Sequence, residues 1–233
     1  MFSPEAIAVV LPALWISLKV AGFATILSTF FGGGLAYGVV RYQFWGKFWL
    51  EAIATLPLVM PPTVVGFYLL QLLSQQGLLG FWLDQWLQIR LIFSWQGATI
   101  AATVMALPLM FKTTKAALQS VNPIYLEAAA TLGQSEWQIF WRVWLPLANR
   151  GVLVGILLSF TRALGEFGAT LMVAGNIPGL TQTMPMAIYE AVQTGDQTLA
   201  AIFVAILTGI SFLSLLMTQY LESRTATKPQ FFR

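Results

Sequence analysis

No cysteine and no histidine occurs among the 233 residues. Their absence excludes disulfides, thiolate or imidazole metal ligands, and every catalytic arrangement built on a Cys/His or Ser/His pair. Charge is scarce too: Asp, Glu, Lys and Arg make up 9 % of the chain, against roughly 25 % in a typical soluble domain. Beside that stand 58 % hydrophobic residues, 9 Trp, 17 Phe and 6 Tyr, with a mean hydropathy of +0.75. A soluble surface of this size cannot hide so much apolar bulk, so a water-soluble domain, a disordered chain and a nucleic-acid module are set aside. The net charge is only +3, so its meaning lies in where the charges sit.

The charge-free stretches locate membrane segments. A helix needs about 20 apolar residues to cross roughly 30 Å of hydrocarbon. Val20–Val40, Ala52–Leu83, Leu91–Phe111, Phe167–Tyr189 and Gln197–Leu221 carry no charge. Allowing a charge near a helix end, they predict an all-α integral membrane protein with five transmembrane helices, at about 13–40, 52–73, 96–118, 150–174 and 199–221. A domain of 11–221 and a short tail of 222–233 follow. The first span does not read as a cleaved signal peptide: it is too long, Glu5 precedes it, and it ends at Arg41.

Lys and Arg in the short loops set the orientation. One side carries Arg41, Lys47, Lys112, Lys115, Arg142, Arg150, Arg224, Lys228 and Arg233; the other carries Arg90 alone. That asymmetry predicts an external N-terminus and a cytoplasmic C-terminus. Lys19, near the outer end of the first span, is expected to snorkel to the interface. Segment 74–95 reads as an external loop with a short surface helix, and 175–198 as an external, turn-rich loop.

Segment 119–149 is then cytoplasmic and reads as two helices. Asn122-Pro123 supplies an N-cap and a first-turn proline. Ser135-x-x-Gln138 fits a capping box, and Gly133 ends the helix before it. Pro146 is expected to interrupt the helix where the chain re-enters the membrane.

This loop runs Glu127-Ala128-Ala129, three residues, Gly133, nine residues, then Val143-Trp144-Leu145-Pro146. It resembles the signature loop of binding-protein-dependent ABC importer permeases, with Val143 where Ile is usual. The resemblance covers about Ala13 to Tyr220. Leu56-Pro57-Leu58-Val59-Met60-Pro61-Pro62-Thr63-Val64-Val65-Gly66 is similar to the second span of the oxyanion branch. Ala163 to Thr170, with Ala174-Gly175-Asn176-Ile177-Pro178-Gly179 and Thr181-Gln182-Thr183, resembles molybdate permeases closely and sulfate permeases less well. Sulfate permeases are expected to be longer, often with an extra N-terminal span.

The resemblance implies the permease subunit of an ATP-driven oxyanion importer in a bacterial inner membrane. Molybdate is the expected substrate, with tungstate or sulfate as alternatives. It also implies a second copy of the chain, a cytoplasmic ATPase dimer and an external solute-binding protein. Glu127, Ala128, Ala129, Gly133, Leu145 and Pro146 are then the residues that couple to the ATPase. No Gly-x-x-x-x-Gly-Lys-[Ser/Thr] occurs, and Gly32-Gly33-Gly34 runs into Leu-Ala-Tyr inside a span. The chain is therefore expected to be non-catalytic, to carry no cofactor or metal, and to leave ATP to its partner.

Two polar or broken regions are candidates for the path. Pro57, Pro61 and Pro62 in the second span, and Pro108 in the third, remove backbone donors where lipid offers no substitute. The broken second span, with Thr63, either lines a passage or is a packing kink. Arg162 and Glu166, four apart in the fourth span, read as sharing one helical face. Charges there are costly, so the pair is either a structural ion pair or leaves Arg162, with Thr161 and Thr170, to face a passing dianion. Gly165 and Gly168 allow close helix approach or a local break.

Other classes fit less of the sequence. A secondary transporter calls for inverted repeats and more buried ionisable groups. A membrane enzyme needs a catalytic cluster beyond Arg162 and Glu166. A passive channel leaves the spaced cytoplasmic loop unexplained.

Overall fold

With only Lys19 charged between Glu5 and Arg41, nothing in the sequence stops a long first helix. The computed structural model, which describes residues 4–223, shows that helix as α1 (Pro4–Arg41). Its 38 residues measure about 57 Å at about 1.5 Å per residue, so it begins well before the expected span at 13–40. Every regular element among the described residues is helical.

The centre of the bundle is α5 (Trp95–Gln119), capped by Ser94, whose hydroxyl accepts the Gly97 N–H at 3.1 Å. It continues through Pro108, which is buried inside it. Ala98, Ala102 and Ala106 of α5 pack with Ala21 and Ala24 of α1 and with Ala163 of the helix α8 (Leu145–Leu164). Small residues at these crossings let the backbones approach, which is how helices associate where lipid removes the hydrophobic drive.

The second expected span is two helices at a right-angled break. α2 (Lys47–Thr55) runs into a 3₁₀ turn at Leu56–Leu58, the chain breaks at 59–61, and α3 (Pro62–Leu73) leaves at 112°. Pro57 and Pro62 each sit in a first turn, where the missing N–H has no helical partner to lose. Three prolines in six residues thus end one helix and start another.

The fourth expected span is corrected in a similar way. A helical stretch already begins at Glu136 and reaches Leu164; after Gly165–Phe167 a short helix, α9 (Gly168–Ala174), follows. The last helix, α11 (Gln197–Ser223), covers the expected 199–221; of the tail, residues 224–233 lie outside the described residues. By length and composition, Ile7–Arg41, Glu136–Leu164 and Gln197–Ser223 can each cross a membrane alone, and the bent pair α2–α3 can supply a fourth crossing.

Both connections expected to be external hold helices. The surface helix expected in 74–95 is α4 (Leu78–Leu87). The turn-rich segment 175–198 hides another, α10 (Met184–Gln193), with Pro185 in its first turn. Met184 and Ala187 of α10 bury against Ala13 of α1 and Phe203 of α11, and the Met184 N–H donates to the Ser17 hydroxyl at 2.7 Å. The Lys19 ammonium lies 3.6 Å from the centroid of the Trp95 ring at the start of α5, a cation–π contact that holds the charge beside an aromatic face.

Candidate functional site

At the end of the bundle carrying segment 119–149, a short helix stands on a braced base. α6 (Pro123–Thr131) starts at Asn122, whose side-chain oxygen accepts the Ile124 N–H at 3.0 Å. It stops in a Schellman motif: the Gly133 N–H donates to the Ala130 carbonyl (3.0 Å) and the Gln134 N–H to the Ala129 carbonyl (3.3 Å). Gly133 has φ +77° and nothing within 4 Å of where a Cβ would stand, so glycine is needed there for its backbone conformation.

The next helix, α7 (Glu136–Ile139), follows at once. Ser135 Oγ accepts the Gln138 N–H at 3.4 Å and Gln138 Oε1 accepts the Ser135 N–H at 3.0 Å, the expected capping box. Of the signature residues, Glu127 and Ala128 are exposed while Ala129 is buried against the chain itself. Ile124, Tyr125 and Leu132 add exposed apolar side chains, Leu132 being 81 % exposed.

Pro146 behaves differently from expectation. It does not interrupt the helix; a π-helical turn at Phe140–Trp144 comes first, in which the Leu145 N–H reaches back to the Phe140 carbonyl, and α8 continues from it. The extra residue in the turn shifts the register so that the missing proline N–H is absorbed within a continuous helix. The turn also aims side chains inward. Trp144 Nε1 donates to the Leu118 carbonyl of α5 at 2.9 Å, and Tyr37 of α1 has its ring 4.5 Å from Phe140 and 5.7 Å from Trp144. Arg41 pairs with Glu136 beside them. Segment 119–149 is therefore fastened to both α1 and α5, a connection that no spacing in the sequence announced.

The two breaks lie against each other. A Cβ at Gly66 of α3 would stand 2.8 Å from the Ala169 Cα of α9, and one at Gly168 would stand 3.0 Å from the Pro62 Cβ. α3 and α9 thus pack at near-backbone contact, with Pro62 and Thr63 beside the start of α9. Glu166 is not on α8 at all, because that helix has ended at Leu164. Its carboxylate, 2 % exposed, accepts from Arg162 Nη1 at 2.6 Å through one oxygen and from the Ala169 N–H at 2.9 Å through the other. The ion pair also caps the chain's re-entry into helix.

The remaining expected path residues divide. Pro61 and Thr63 are exposed. The Thr161 hydroxyl donates to the Leu157 carbonyl at 2.9 Å, and Thr170 is enclosed, its hydroxyl without a partner among the described residues. Near the other end, Asn176 Nδ2 and Gln182 Nε2 both donate to Glu190 Oε2, at 2.7 and 2.6 Å. Glu190 on α10 thereby shapes the 175–183 segment; its only sequence signal is that it is the lone carboxylate near two amides.

Broken membrane helices packed on each other, with a braced two-helix loop, mark a transporter subunit of the ABC importer permease fold. The fold is shared with the inward-facing MetNI methionine ABC transporter, at a TM-score of 0.73 and 16 % identity, covering 97 % of this chain and 100 % of that one. The chain belongs to the family of binding-protein-dependent transport system inner membrane components, whose model matches residues 24–227, and so to the inner membrane. Among relatives, the molybdenum transport system permease protein ModB of Escherichia coli K12 is 42 % identical over 90 % of this chain and 92 % of its own. The putative molybdenum transport system permease protein YvgM of Bacillus subtilis is 43 % identical over 88 % and 90 %. The sulfate transport system permease protein CysW of Synechococcus elongatus is 36 % identical over 91 % of this chain and 74 % of its own length.

Proposed function

We propose that this chain is the membrane subunit of an ATP-driven molybdate importer. Two copies face each other about a twofold axis, α6 of each seats in a separate ATPase dimer, and an external binding protein delivers the oxyanion. The observation that carries this reading is α6: a short helix fixed at both ends, exposing Glu127 and Ala128, and joined through Tyr37, Phe140 and Trp144 to α1 and α5. Substrate choice rests on the 42 % identity to the molybdenum permease of Escherichia coli. Because the chain has few polar groups along the breaks, specificity is assigned to the binding protein. The path residues Pro61, Pro62, Thr63, Thr161, Arg162, Glu166 and Thr170 shape the opening, with the Arg162 charge offset by the Glu166 carboxylate.

The proposed topology has five crossings: α1, α2 with α3, α5, α8 with α9, and α11. The N-terminus is outside, and 119–149 and the tail are cytoplasmic, a reading supported by the Lys/Arg asymmetry. Single cysteines in this Cys-free chain test it. An impermeant thiol reagent on intact cells is expected to label Gln76→Cys but not Leu132→Cys, and the reverse pattern inverts the topology.

The function itself is tested in vesicles holding the chain with its ATPase and binding protein. Molybdate uptake is expected to require ATP and loaded binding protein, to compete with tungstate, and to resist sulfate. Uptake without ATP, or sulfate accumulation in preference to molybdate, overturns the reading. Native mass spectrometry of the same complex is expected to show two copies of this chain per two ATPases.

A further inference from the structure

A groove between α2 and α5 carries charge that the transport mechanism leaves unused. Phe48, Glu51, Ala52 and Thr55 form one face of α2, and Phe111, Lys112, Lys115, Ala116 and Gln119 one face of α5; they enclose a cavity of about 320 Å³. Lys115 Nζ is 2.5 Å from Glu51 Oε2, which ties the helices together and uses up the only carboxylate in the lining. Lys112 is exposed and has no ion-pair partner among the described residues. It lies seven residues before the end of α5, about 10 Å along the axis, on the stretch read as the third span, where an unpaired ammonium needs an anion or water.

The surroundings specify which anion. The chain just before the groove reads Tyr42-Gln43-Phe44-Trp45-Gly46-Lys47-Phe48-Trp49, and its aromatic side chains are exposed, Phe48 by 75 % and Trp49 by 69 %. Aromatic clusters of this kind mark the level where lipid headgroups meet the acyl chains. The lining combines Phe48, Ala52 and Ala116 with two ammonium groups and the Gln119 amide, which matches an amphiphile better than a hydrated ion.

We propose that this groove binds the headgroup of an anionic phospholipid, with Lys112 holding the phosphate, Lys115 adding a donor beside its pair with Glu51, and Phe48 meeting the first acyl carbons. Basic pockets between membrane helices recognise lipid phosphates by this chemistry. The site is independent of which oxyanion is transported and of the bundle's orientation. A lipid wedged there would brace α2 against α5.

The test uses the complete transporter in nanodiscs of phosphatidylcholine with phosphatidylglycerol, and counts lipids retained by native mass spectrometry. Wild type is expected to retain phosphatidylglycerol over phosphatidylcholine. Lys112→Gln should weaken that preference about fivefold, from about 1 kcal/mol per lysine near the surface, whereas Lys112→Arg should keep it. Since Lys112 is exposed, both variants should still assemble with the ATPase, which a sizing column checks. Equal retention by wild type and Lys112→Gln overturns the proposal. So does loss of retention on adding molybdate alone, which would make the groove a station for the transported anion.

Discussion

Replacing Glu166 by leucine is expected to destabilise the protein by about 3 kcal/mol, the low end for removing one member of a buried ion pair. The low end applies because Arg162 keeps 29 % of its side-chain exposure, so part of its charge remains solvated. Two partners are orphaned at once: the Arg162 guanidinium, and the Ala169 N–H at the first turn of α9. The thermal midpoint of the purified complex should fall by several degrees. Glu166→Gln should fall less, since its amide oxygen can still accept from Ala169.

Removing both charges, with Arg162→Leu and Glu166→Leu, should recover part of the loss, because only one buried donor then stays unpaired. Exchanging the charges should not recover it: an arginine at 166 cannot accept the Ala169 N–H. The double leucine variant also separates the two roles of Arg162. If it assembles normally but molybdate uptake collapses, Arg162 faces the passage; if uptake persists, the arginine serves structure alone. A Glu166→Leu protein as stable as wild type removes the capping role altogether.

How much of this was legible in the sequence depends on how local each cause is. Asn122, Gly133 and the Ser135–Gln138 box act within one turn, and each sits where its residue type predicts. Pro57, Pro61 and Pro62 announced a break, but not its 112° angle, which is set by α3 packing on α9 through Gly66. A spacing of four places Arg162 and Glu166 on one helical face. The partner at Ala169 that draws Glu166 out of the helix lies beyond that pattern.

Pro146 misled for a related reason. A proline normally stops a helix, yet here the π-helical turn before it keeps the helix continuous, and that turn is stabilised by Trp144 bonding to α5, 26 residues back in sequence. α10 stayed hidden because Gly175, Pro178, Gly179 and Pro185 read as turns. Its helix is held by burial of Met184 and Ala187 and by Glu190 gathering two amides, contacts made only once the chain has folded. The ties of Arg41 to Glu136 and Lys115 to Glu51 span 95 and 64 residues, so no local pattern could pair them.

Gly133→Val is expected to abolish the response of ATP hydrolysis to loaded binding protein while leaving the membrane helices inserted. Valine at φ +77° is strained by about 1–3 kcal/mol, and the strain falls where α6 turns into α7. Nothing crowds the position, so the damage is to the backbone path alone. To relieve it, the two Schellman hydrogen bonds from Gly133 and Gln134 must break, which changes the angle of α6 relative to the braced α7. The ATPase then meets a helix that no longer moves with α1 and α5, and a motion can bias the spans only through a rigid connection. Asparagine tolerates the left-handed region far better than a β-branched residue, so Gly133→Asn should restore most of the stimulated hydrolysis and uptake. Because both variants add a side chain at the same exposed place, the contrast isolates conformation from steric bulk. Wild-type stimulated hydrolysis together with wild-type uptake in Gly133→Val would remove α6 from the coupling route.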